Sequence, residues 1–363
     1  MFSPADHEFM AQALRLAEQG LYSTTPNPRV GCVLVRDGVV VGEGWHQRAG
    51  EPHAEVHALR AAVEQARGAT AYVTLEPCSH YGRTPPCADA LIGAGVARVV
   101  AAMQDPNPTV SGNGLARLRA AGISVECGLL SAAAEELNIG FVSRMTRGRP
   151  WVRMKLAASL DGKTALENGT SQWITGSAAR GDGHRWRARA CAILSGIGTV
   201  LADNPQLNVR GVETTRQPLK VVIDSCLELP LDARLLDDAQ ALLITLSDDA
   251  RKVAALRERG AEVVRLPSAS RKVDLSELML ELGRRGINEM HVEGGNRLSG
   301  ALVAAGLVDE LLLYQAPCLI GDSARGLLAM PALQSLESKQ QLQIRDVRMV
   351  GADLRVLARF VRA

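Results

Sequence analysis

The sequence predicts an α/β fold in two domains, and three observations support this. Short runs of β-branched and aliphatic residues alternate with helical patterns through both halves of the chain. The chain has 363 residues, whereas a typical domain contains roughly 100–200 residues. A polar segment, Ser143-Arg-Met-Thr-Arg-Gly-Arg-Pro150, separates a helical pattern ending near Phe141 from a strand-like run beginning at Val152. We therefore expect one domain over 1–147 and a second over 148–363.

The first half is predicted to form a three-layer α/β/α sandwich. Asp37-Gly38 lies between two runs of residues that favour β-strands, as is typical of a tight hairpin. The predicted strands are residues 30–36, 39–43, 71–75, 96–103 and 123–127. Apolar residues with helical spacing predict helices over 6–19, 54–67, 86–94 and 114–121.

The second half follows the same alternation of strands and helices. Its predicted strands are residues 152–158, 191–195, 219–223, 241–245, 262–265, 289–293 and 308–315. An Arg-rich helix is expected over 180–189, and a second helix is expected to follow Gly294-Gly295 and run to about Gly306. Backbone amides at the start of that second helix could bind phosphate groups, although a Gly-Gly pair between a strand and a helix is common and is a weak signal alone.

The string Pro52-His53-Ala54-Glu55, followed by Cys78 and Cys87, predicts a hydrolytic zinc site. One imidazole and two thiolates are ligands that Zn²⁺ prefers, and three protein ligands leave the fourth tetrahedral position open for water. We expect one zinc per chain. Glu55 is placed to act as the general acid/base beside that water.

The local sequence also predicts how these side chains converge. Pro52 suits the first turn of a helix, and His53 can approach Glu55 only at a helix end, because residues two apart point to opposite sides of a regular helix. Cys78 and Cys87 each follow a proline, so both are expected near a helix start, an electropositive place that lowers the pKa of a thiol.

Other interpretations of the same residues stay open at this point. His53 and His57 are spaced as in the helical metalloprotease motif, but that motif places its Glu directly after the first His. A non-enzymatic zinc module would need a fourth protein ligand, such as His57 or His80, and would not need Glu55. A lone buried Cys or His more often has only a structural role.

Several segments resemble known families. His53-Ala54-Glu55 with Pro77-Cys78 is similar to the cytidine deaminase superfamily, although eight residues rather than two separate Cys78 from Cys87. Both halves resemble the bacterial bifunctional riboflavin-biosynthesis deaminase/reductases, through Thr25-Pro-Asn-Pro-Arg-Val-Gly31, Thr74-Leu-Glu-Pro-Cys-Ser-His80, Gly82-Arg-Thr-Pro-Pro-Cys87, Asp105-Pro-Asn-Pro108, Lys155-Leu-Ala-Ala-Ser-Leu-Asp-Gly-Lys163, Ser171-Gln-Trp-Ile-Thr175 and Asp203-Asn-Pro205. The resemblance covers nearly the whole chain.

This resemblance implies a fold and a two-step activity. The first domain would be cytidine-deaminase-like and the second dihydrofolate-reductase-like. The first would hydrolyse the ring 2-amino group of 2,5-diamino-6-ribosylamino-4(3H)-pyrimidinone 5′-phosphate. The second would reduce the ribosyl group to ribityl with NADPH, giving 5-amino-6-ribitylaminouracil 5′-phosphate. NADPH is expected over NADH, because a 2′-phosphate makes charge-assisted hydrogen bonds that a hydroxyl cannot.

The resemblance also implies site residues. Glu55 would be catalytic, and the zinc ligands would be His53, Cys78 and Cys87. Substrate contacts in the deaminase domain would be Asn27, His46, His80 and Arg83, although each could be an ordinary loop residue. The cofactor site would comprise Ala157, Trp173, Thr199, Asp203, Ser225, Gly294, Gly295, Asn296, Arg297, Leu298, Ser299 and Gly300. Substrate contacts in the reductase domain would be Ser171, Arg187, Leu207, Arg210 and Glu293.

Composition limits the possible partners. The net charge is +2, with 12 Lys and Arg against 14 Asp and Glu in 1–147 and 29 against 25 in the remainder. Only 3% of residues are aromatic, so a tRNA-editing deaminase, which needs a basic face and stacking platforms, is the weaker alternative. The seven cysteines do not suggest a disulfide framework. The sequence shows no membrane-spanning run and no signal pattern, so we expect a cytoplasmic protein. We also expect a homo-oligomer.

Overall fold

A computed structural model describes residues 2–79, 85–238 and 240–361 of the chain. The chain divides between Gly148 and Arg149 into two compact units, called unit 1 and unit 2 below. Each unit contains its own large β-sheet and its own hydrophobic core. In the described part of the chain, no helix is both long and apolar enough to cross a membrane.

Unit 1 alternates helices and strands after an N-terminal helix. Its elements are α1 (Pro4–Glu18), β1 (Gly31–Arg36), β2 (Val39–Trp45), α2 (Ala54–Ala62), β3 (Thr70–Val73), α3 (Cys87–Ala94), β4 (Arg98–Ala101), α4 (Asn113–Ala120), β5 (Ser124–Cys127), α5 (Ser131–Leu137) and α6 (Ile139–Arg147). A 3₁₀ turn, Val63–Ala66, extends α2. The start of α1 is fixed by a capping box, in which the Ser3 hydroxyl accepts the Asp6 N–H and the Asp6 carboxylate accepts the Ser3 N–H.

The sheet of unit 1 has the order β2-β1-β3-β4-β5. β1 is antiparallel to both of its neighbours, while β3, β4 and β5 are parallel. Because β3 and β4 are parallel neighbours, the loops after them leave the same edge of the sheet. That edge carries Cys78 and the 104–112 segment. The helices α5 and α6 are the elements that the sequence pattern did not predict as separate helices.

Unit 2 is built around a mostly parallel sheet. Its elements are β6 (Trp151–Ser159), β7 (Lys163–Ala165), α7 (Ser177–Arg189), β8 (Ala192–Gly196), α8 (Ile197–Asp203), β9 (Leu219–Ile223), β10 (Ala241–Thr245), α9 (Ala250–Glu258), β11 (Ala261–Arg265), α10 (Leu275–Arg284), β12 (Glu289–Val292), α11 (Asn296–Ala304), β13 (Glu310–Ala316), β14 (Arg325–Gly326), β15 (Leu342–Val350) and β16 (Asp353–Phe360).

The large sheet of unit 2 has nine strands in the order β11-β10-β9-β8-β12-β6-β13-β16-β15, and β7 pairs separately with β14. The first seven strands in this order, from β11 to β13, are parallel to one another. At the other end of the sheet, β16 is antiparallel to β13, and β15 is antiparallel to β16. β12 lies between β6 and β8, so the carboxyl ends of these three strands open on one edge. In open α/β sheets, ligands bind at such an edge.

The seven strands predicted in the second half are present, but the sequence pattern missed the short pair β7 and β14 and the longer pair β15 and β16. The pairing of β15 with β16 shifts between Ile344 and Asp346. Such a β-bulge places an extra residue in one strand and interrupts the alternation of apolar and polar residues that predicts a strand.

Candidate zinc centre and reductase cavity

His53, Cys78 and Cys87 meet in unit 1 although 34 positions separate the first from the last. Nδ1 of His53 lies 3.6 Å from Sγ of Cys78 and 3.3 Å from Sγ of Cys87. All three ligand atoms lie within 4.8 Å of one another. A tetrahedral zinc with bonds of about 2.0–2.3 Å separates its ligand atoms by roughly 3.3–3.8 Å. The three side chains therefore fit one zinc ion.

The N-terminus of α2 brings His53 and Glu55 together. His53 is the N-cap residue and has extended backbone angles (φ −76°, ψ 168°). The direction of its side chain is therefore not set by the regular rotation of the helix. Glu55 is the second residue of the helix and is 3% exposed. Pro52 precedes the N-cap residue and lies two positions before Ala54, the first residue of the helix. The prediction that Pro52 occupies the first helical turn was therefore wrong.

The two cysteines reach the site from different kinds of structure. Cys87 is the first residue of α3, directly after Pro86. Cys78 lies outside any helix of the described residues, which corrects the prediction that both cysteines start helices. The backbone N–H of Cys87 donates to Sγ of Cys78 at 3.2 Å. The electropositive start of α3 therefore favours the thiolate form of both cysteines.

Electrostatics at the site favour a metal-binding thiolate. Hydrogen bonding to Cys87 and to His53 lowers the pKa of Cys78 to about 4. The neighbouring Cys78 sulfur and burial raise the pKa of Cys87. Burial raises the pKa of Glu55 to about 6. A dication held by the three ligands would favour deprotonation of all of these groups.

Asn27 and His46 form a hydrogen-bonded pair beside the zinc ligands. Nδ2 of Asn27 lies 3.1 Å from Nε2 of His46, whose Nδ1 lies 3.1 Å from the carbonyl oxygen of Pro52. The rings of His46 and His53 are perpendicular, with centroids 5.3 Å apart. Both nitrogens of His46 thus have protein partners, and neither is left for a substrate oxygen while these contacts persist. The other predicted substrate contacts of this domain, His80 and Arg83, lie outside the described residues.

Unit 2 contains a cavity of about 1380 Å³ at the carboxyl ends of β6, β8 and β12. Its wall includes ten predicted cofactor residues, namely Ala157, Trp173, Thr199, Asp203, Ser225, Gly294, Gly295, Asn296, Arg297 and Leu298. It also includes the five predicted substrate residues, Ser171, Arg187, Leu207, Arg210 and Glu293. The volume is sufficient for a dinucleotide and a second small molecule, since typical ligand pockets have about 300–1,000 Å³.

The start of α11 forms one wall of this cavity. Gly295 is the N-cap residue, and in the described part of the chain no side chain caps the free N–H groups of the first turn. Such an end binds phosphate groups. Ser299 and Gly300 do not belong to the wall. Ser299 is fully buried, and a Cβ on Gly300 would lie 2.3 Å from the carbonyl oxygen of Ala329, so these two residues pack α11 against the protein.

Arg187 and Glu293 form a two-pronged ion pair inside the cavity. Nε of Arg187 lies 2.5 Å from Oε1 of Glu293, and Nη2 lies 2.8 Å from Oε2. Although burial disfavours its charge, Arg187 holds the pKa of Glu293 well below its usual range. Arg210 reaches the same cavity and donates to Gln206 at 3.0 Å and to Asn208.

Lys155 lines this cavity and was not among the predicted site residues, and neither was His184, which lines a smaller cavity of unit 2. Lys155 lies on β6, and burial lowers the pKa of its ammonium group. A lysine inside a strand of mostly apolar residues was the signal that could have identified it. His184 lies on α7, and because several arginines in this helix are typical of a solvated face, nothing in the sequence indicated a site residue there.

Two family models match the chain. Residues 3–103 match the cytidine and deoxycytidylate deaminase zinc-binding region, and residues 150–356 match the RibD C-terminal domain. The chain is 51% identical to the riboflavin biosynthesis protein RibD of Escherichia coli K12 over 365 residues, covering 96% of this chain and 98% of the relative. It is 48% identical to RibD of Haemophilus influenzae, with 98% and 97% covered. The chain belongs to the RibD family.

Solved structures of the RibD family agree with this assignment. Acinetobacter baumannii RibD has a TM-score of 0.93 at 44% identity and 99% coverage of both chains. A diaminohydroxyphosphoribosylaminopyrimidine deaminase/5-amino-6-(5-phosphoribosylamino)uracil reductase from Thermotoga maritima has a TM-score of 0.88 at 34% identity, with 98% and 99% covered. The predicted family and fold classes are confirmed. The chain is a bifunctional deaminase and reductase of riboflavin biosynthesis that uses zinc and NADPH.

Proposed function

We propose that unit 1, which corresponds to the predicted domain over 1–147, is the deaminase and that unit 2, which corresponds to the predicted domain over 148–363, is the reductase. The observation that carries this division is the separation of the two groups of side chains. His53, Cys78, Cys87 and Glu55 converge in unit 1, whereas the cavity with the Arg187–Glu293 pair lies wholly in unit 2. Each group contains the residue types that its own reaction requires.

The deaminase step acts on the diaminopyrimidinone ribosylamine 5′-phosphate. His53, Cys78 and Cys87 would hold the zinc, which when bound activates water for attack on an electron-poor carbon. Glu55 takes the proton from this water and passes it to the amino group on C2. That carbon gains an oxygen, and the amino group leaves as ammonia. Asn27 is positioned by His46 to pair with the edge of the pyrimidinone ring.

The reductase step acts on the deaminated product. NADPH, when bound, would supply the hydride that reduces sugar C1 of the ring-opened imine, and the imine nitrogen would take a proton from solvent. Free N–H groups at the start of α11 hold a cofactor phosphate. Arg210, together with the N–H groups of Arg187 that Glu293 does not engage, holds the substrate's sugar-phosphate tail, because guanidinium groups make charge-assisted hydrogen bonds to phosphate oxygens. This contact keeps the reacting carbon within reach of the cofactor.

We also propose that the chain works in the cytoplasm as a homo-oligomer. All seven cysteines are free thiols, as is typical of a reducing compartment. The strand β15 lies at the edge of the large sheet, and its side chains Ile344, Val347 and Met349 are 63%, 50% and 61% exposed. An exposed apolar edge strand favours pairing with another chain. Val347→Lys should therefore lower the molar mass measured by light scattering.

One coupled assay tests the two-step function. The purified protein receives the diaminopyrimidinone substrate with and without NADPH, and ammonia and the absorbance of NADPH are followed separately. Ammonia should appear in both reactions, and NADPH should be consumed only after deamination has begun. NADH at the same concentration should support a slower reduction. NADPH consumption without ammonia release would refute the proposed order.

A further inference from the structure

Trp173 and Arg180 form a stacked pair in the wall of the reductase cavity. The guanidinium carbon of Arg180 lies 4.6 Å from the centroid of the Trp173 ring. Nη1 of Arg180 also donates to the carbonyl oxygen of Thr175 at 2.7 Å, which holds the guanidinium group over the ring. Trp173 is nevertheless 69% exposed. Arg180 therefore covers one face of the indole, and the other face is accessible to a ligand.

The positive charge of Arg180 is not balanced by a carboxylate. Among the described residues, no Asp or Glu side chain forms an ion pair with it, whereas Arg187 is paired with Glu293 and Arg185 lies 3.5 Å from Asp182. A guanidinium group on one face of an indole is attracted by the electrons of the ring. A second cation on the opposite face would be repelled by Arg180, but a neutral ring would not. The accessible face of the indole therefore favours a neutral ligand over a cationic one.

The walls of the cavity indicate which end of the cofactor meets Trp173. Trp173 and Arg180 line both the large cavity and a smaller one of about 270 Å³, and so do Arg187 and Glu293, two of the expected substrate contacts. Among the described wall residues, 294–298 at the start of α11 line the large cavity alone. Because the hydride must pass to the substrate, the nicotinamide end of the cofactor is expected beside Arg187 and Glu293. Trp173 lies on that side.

The reaction changes the charge of the nicotinamide ring. NADPH carries a neutral dihydronicotinamide, and transfer of its hydride to the substrate leaves NADP⁺, whose ring carries one positive charge. We propose that the nicotinamide ring stacks on the accessible face of Trp173 and that Arg180, behind the indole, selects NADPH over NADP⁺. Repulsion by Arg180 weakens the binding of the oxidised cofactor, so NADP⁺ leaves the site more readily after each turnover. This proposal rests on the proposed assignment of the reductase to unit 2.

Calorimetry with the full-length protein tests this selection through binding rather than through activity. Arg180→Gln removes the charge and keeps a planar polar group. The ratio of the Kd for NADP⁺ to the Kd for NADPH should therefore fall by about threefold to tenfold, the size of one electrostatic contact at an aromatic ring. Arg180→Lys keeps the charge and should retain most of the parent's ratio. Arg185→Gln, the same change at an exposed position of α7, is the matched control and should bind both cofactors as the parent does.

A truncated cofactor shows which end of the molecule Arg180 affects. The probe is 2′-phospho-ADP-ribose, which lacks the nicotinamide ring. Arg180→Gln should change the Kd of this probe no more than it changes the Kd of NADPH. An equal gain in affinity for the probe and for NADP⁺ would overturn the proposal, because the charge would then not act on the nicotinamide. An unchanged Kd ratio in Arg180→Gln, or an Arg180→Lys ratio as low as that of Arg180→Gln, would also overturn it.

Trp173→Leu separates a failure of this proposal from a failure of the proposed function. The substitution should weaken the binding of both NADPH and NADP⁺, because both lose the aromatic surface. If Trp173→Leu and Asp203→Ala leave both Kd values unchanged, unit 2 does not hold the cofactor, and the proposed function and this proposal fail together. If both variants bind the cofactors more weakly but Arg180→Gln keeps the parent's Kd ratio, the proposed function stands and only the role of Arg180 is refuted.

Discussion

At the scale of single residues, the chemistry of the deaminase site depends on where α2 begins. His53 belongs to the site because it precedes α2, and Glu55 belongs because it is in the first turn and 3% exposed. Burial of this carboxyl raises its pKa, whereas the nearby His53 and the hydrogen bond with Cys87 lower it. A carboxyl under such opposing influences can accept and release a proton near neutral pH.

Glu55→Gln should separate proton transfer from metal binding. The amide keeps the size of the side chain but cannot relay a proton, so the rate of ammonia release should fall by at least ~10². Zinc content, measured by elemental analysis, should remain near one per chain. Glu64→Gln, an exposed carboxyl in the 3₁₀ turn after α2, is the control and should leave the rate unchanged. Near-normal ammonia release by Glu55→Gln would remove Glu55 from the mechanism.

At the scale of elements, α4 holds the segment that contains the first cysteine ligand. The N-cap residue of α4 is Gly112, which has no side chain to cap the helix. The Glu76 carboxylate takes this role and accepts the N–H groups of Gly112 at 2.9 Å and Gly114 at 2.8 Å. It also accepts the N–H of Asp105 at 3.0 Å. Glu76 thus ties Pro77 and Cys78 to the start of α4.

Gly114→Ala should disturb this contact and loosen the zinc site. A Cβ at position 114 would lie 1.9 Å from the carbonyl oxygen of Pro77, a backbone atom that can move only with the Cys78 segment. We expect a loss of about 1–3 kcal/mol or more in the stability of unit 1, as for other overpacked sites. The measurement is the denaturant concentration at which zinc is released.

Gly93→Ala provides the matched control for this experiment. Gly93 lies in α3, and a Cβ there would meet nothing within 4 Å. The substitution should be neutral or should stabilise the unit by up to about 1 kcal/mol, because alanine favours the helix. Equal effects of the two substitutions would show that the close approach of Gly114 to Pro77 does not matter.

At the scale of the whole molecule, two separate cores predict two separable activities. The zinc ligands contact residues of unit 1, and the described wall of the reductase cavity belongs to unit 2. Cys78→Ala in the full-length chain should therefore lose zinc and ammonia release. It should still oxidise NADPH at the parent rate when the deaminated intermediate is supplied.

Asp203→Ala is the reciprocal variant. Asp203 lines the reductase cavity, so its substitution should impair NADPH oxidation and leave zinc content and ammonia release intact. Elemental analysis and the two rates, measured on both variants, complete the comparison. Loss of both activities in either variant would contradict the independence of the two units.

The sequence by itself determined the chemistry and the family. The two thiols, the imidazole and the adjacent carboxyl indicate a zinc deaminase because ligand preference is a property of residue types. Strands such as β9 and β10 were predicted with their observed ends, because a buried parallel strand is a nearly continuous run of β-branched and aliphatic residues. These signals lie in the residue types and in short stretches of neighbouring residues, so they can be recognised without knowledge of the fold.

Only the tertiary structure decided which distant residues meet. The support of α4 by Glu76, the hydrogen bond from the Arg210 backbone to His184 and the ion pair between Arg187 and Glu293 join residues 26 to 106 positions apart. No sequence period encodes such contacts, since they depend on which strands become neighbours in a sheet. The place of Cys78 outside a helix was decided in the same way. Its thiol is stabilised by the N–H of Cys87, which packing brings to it from the start of α3.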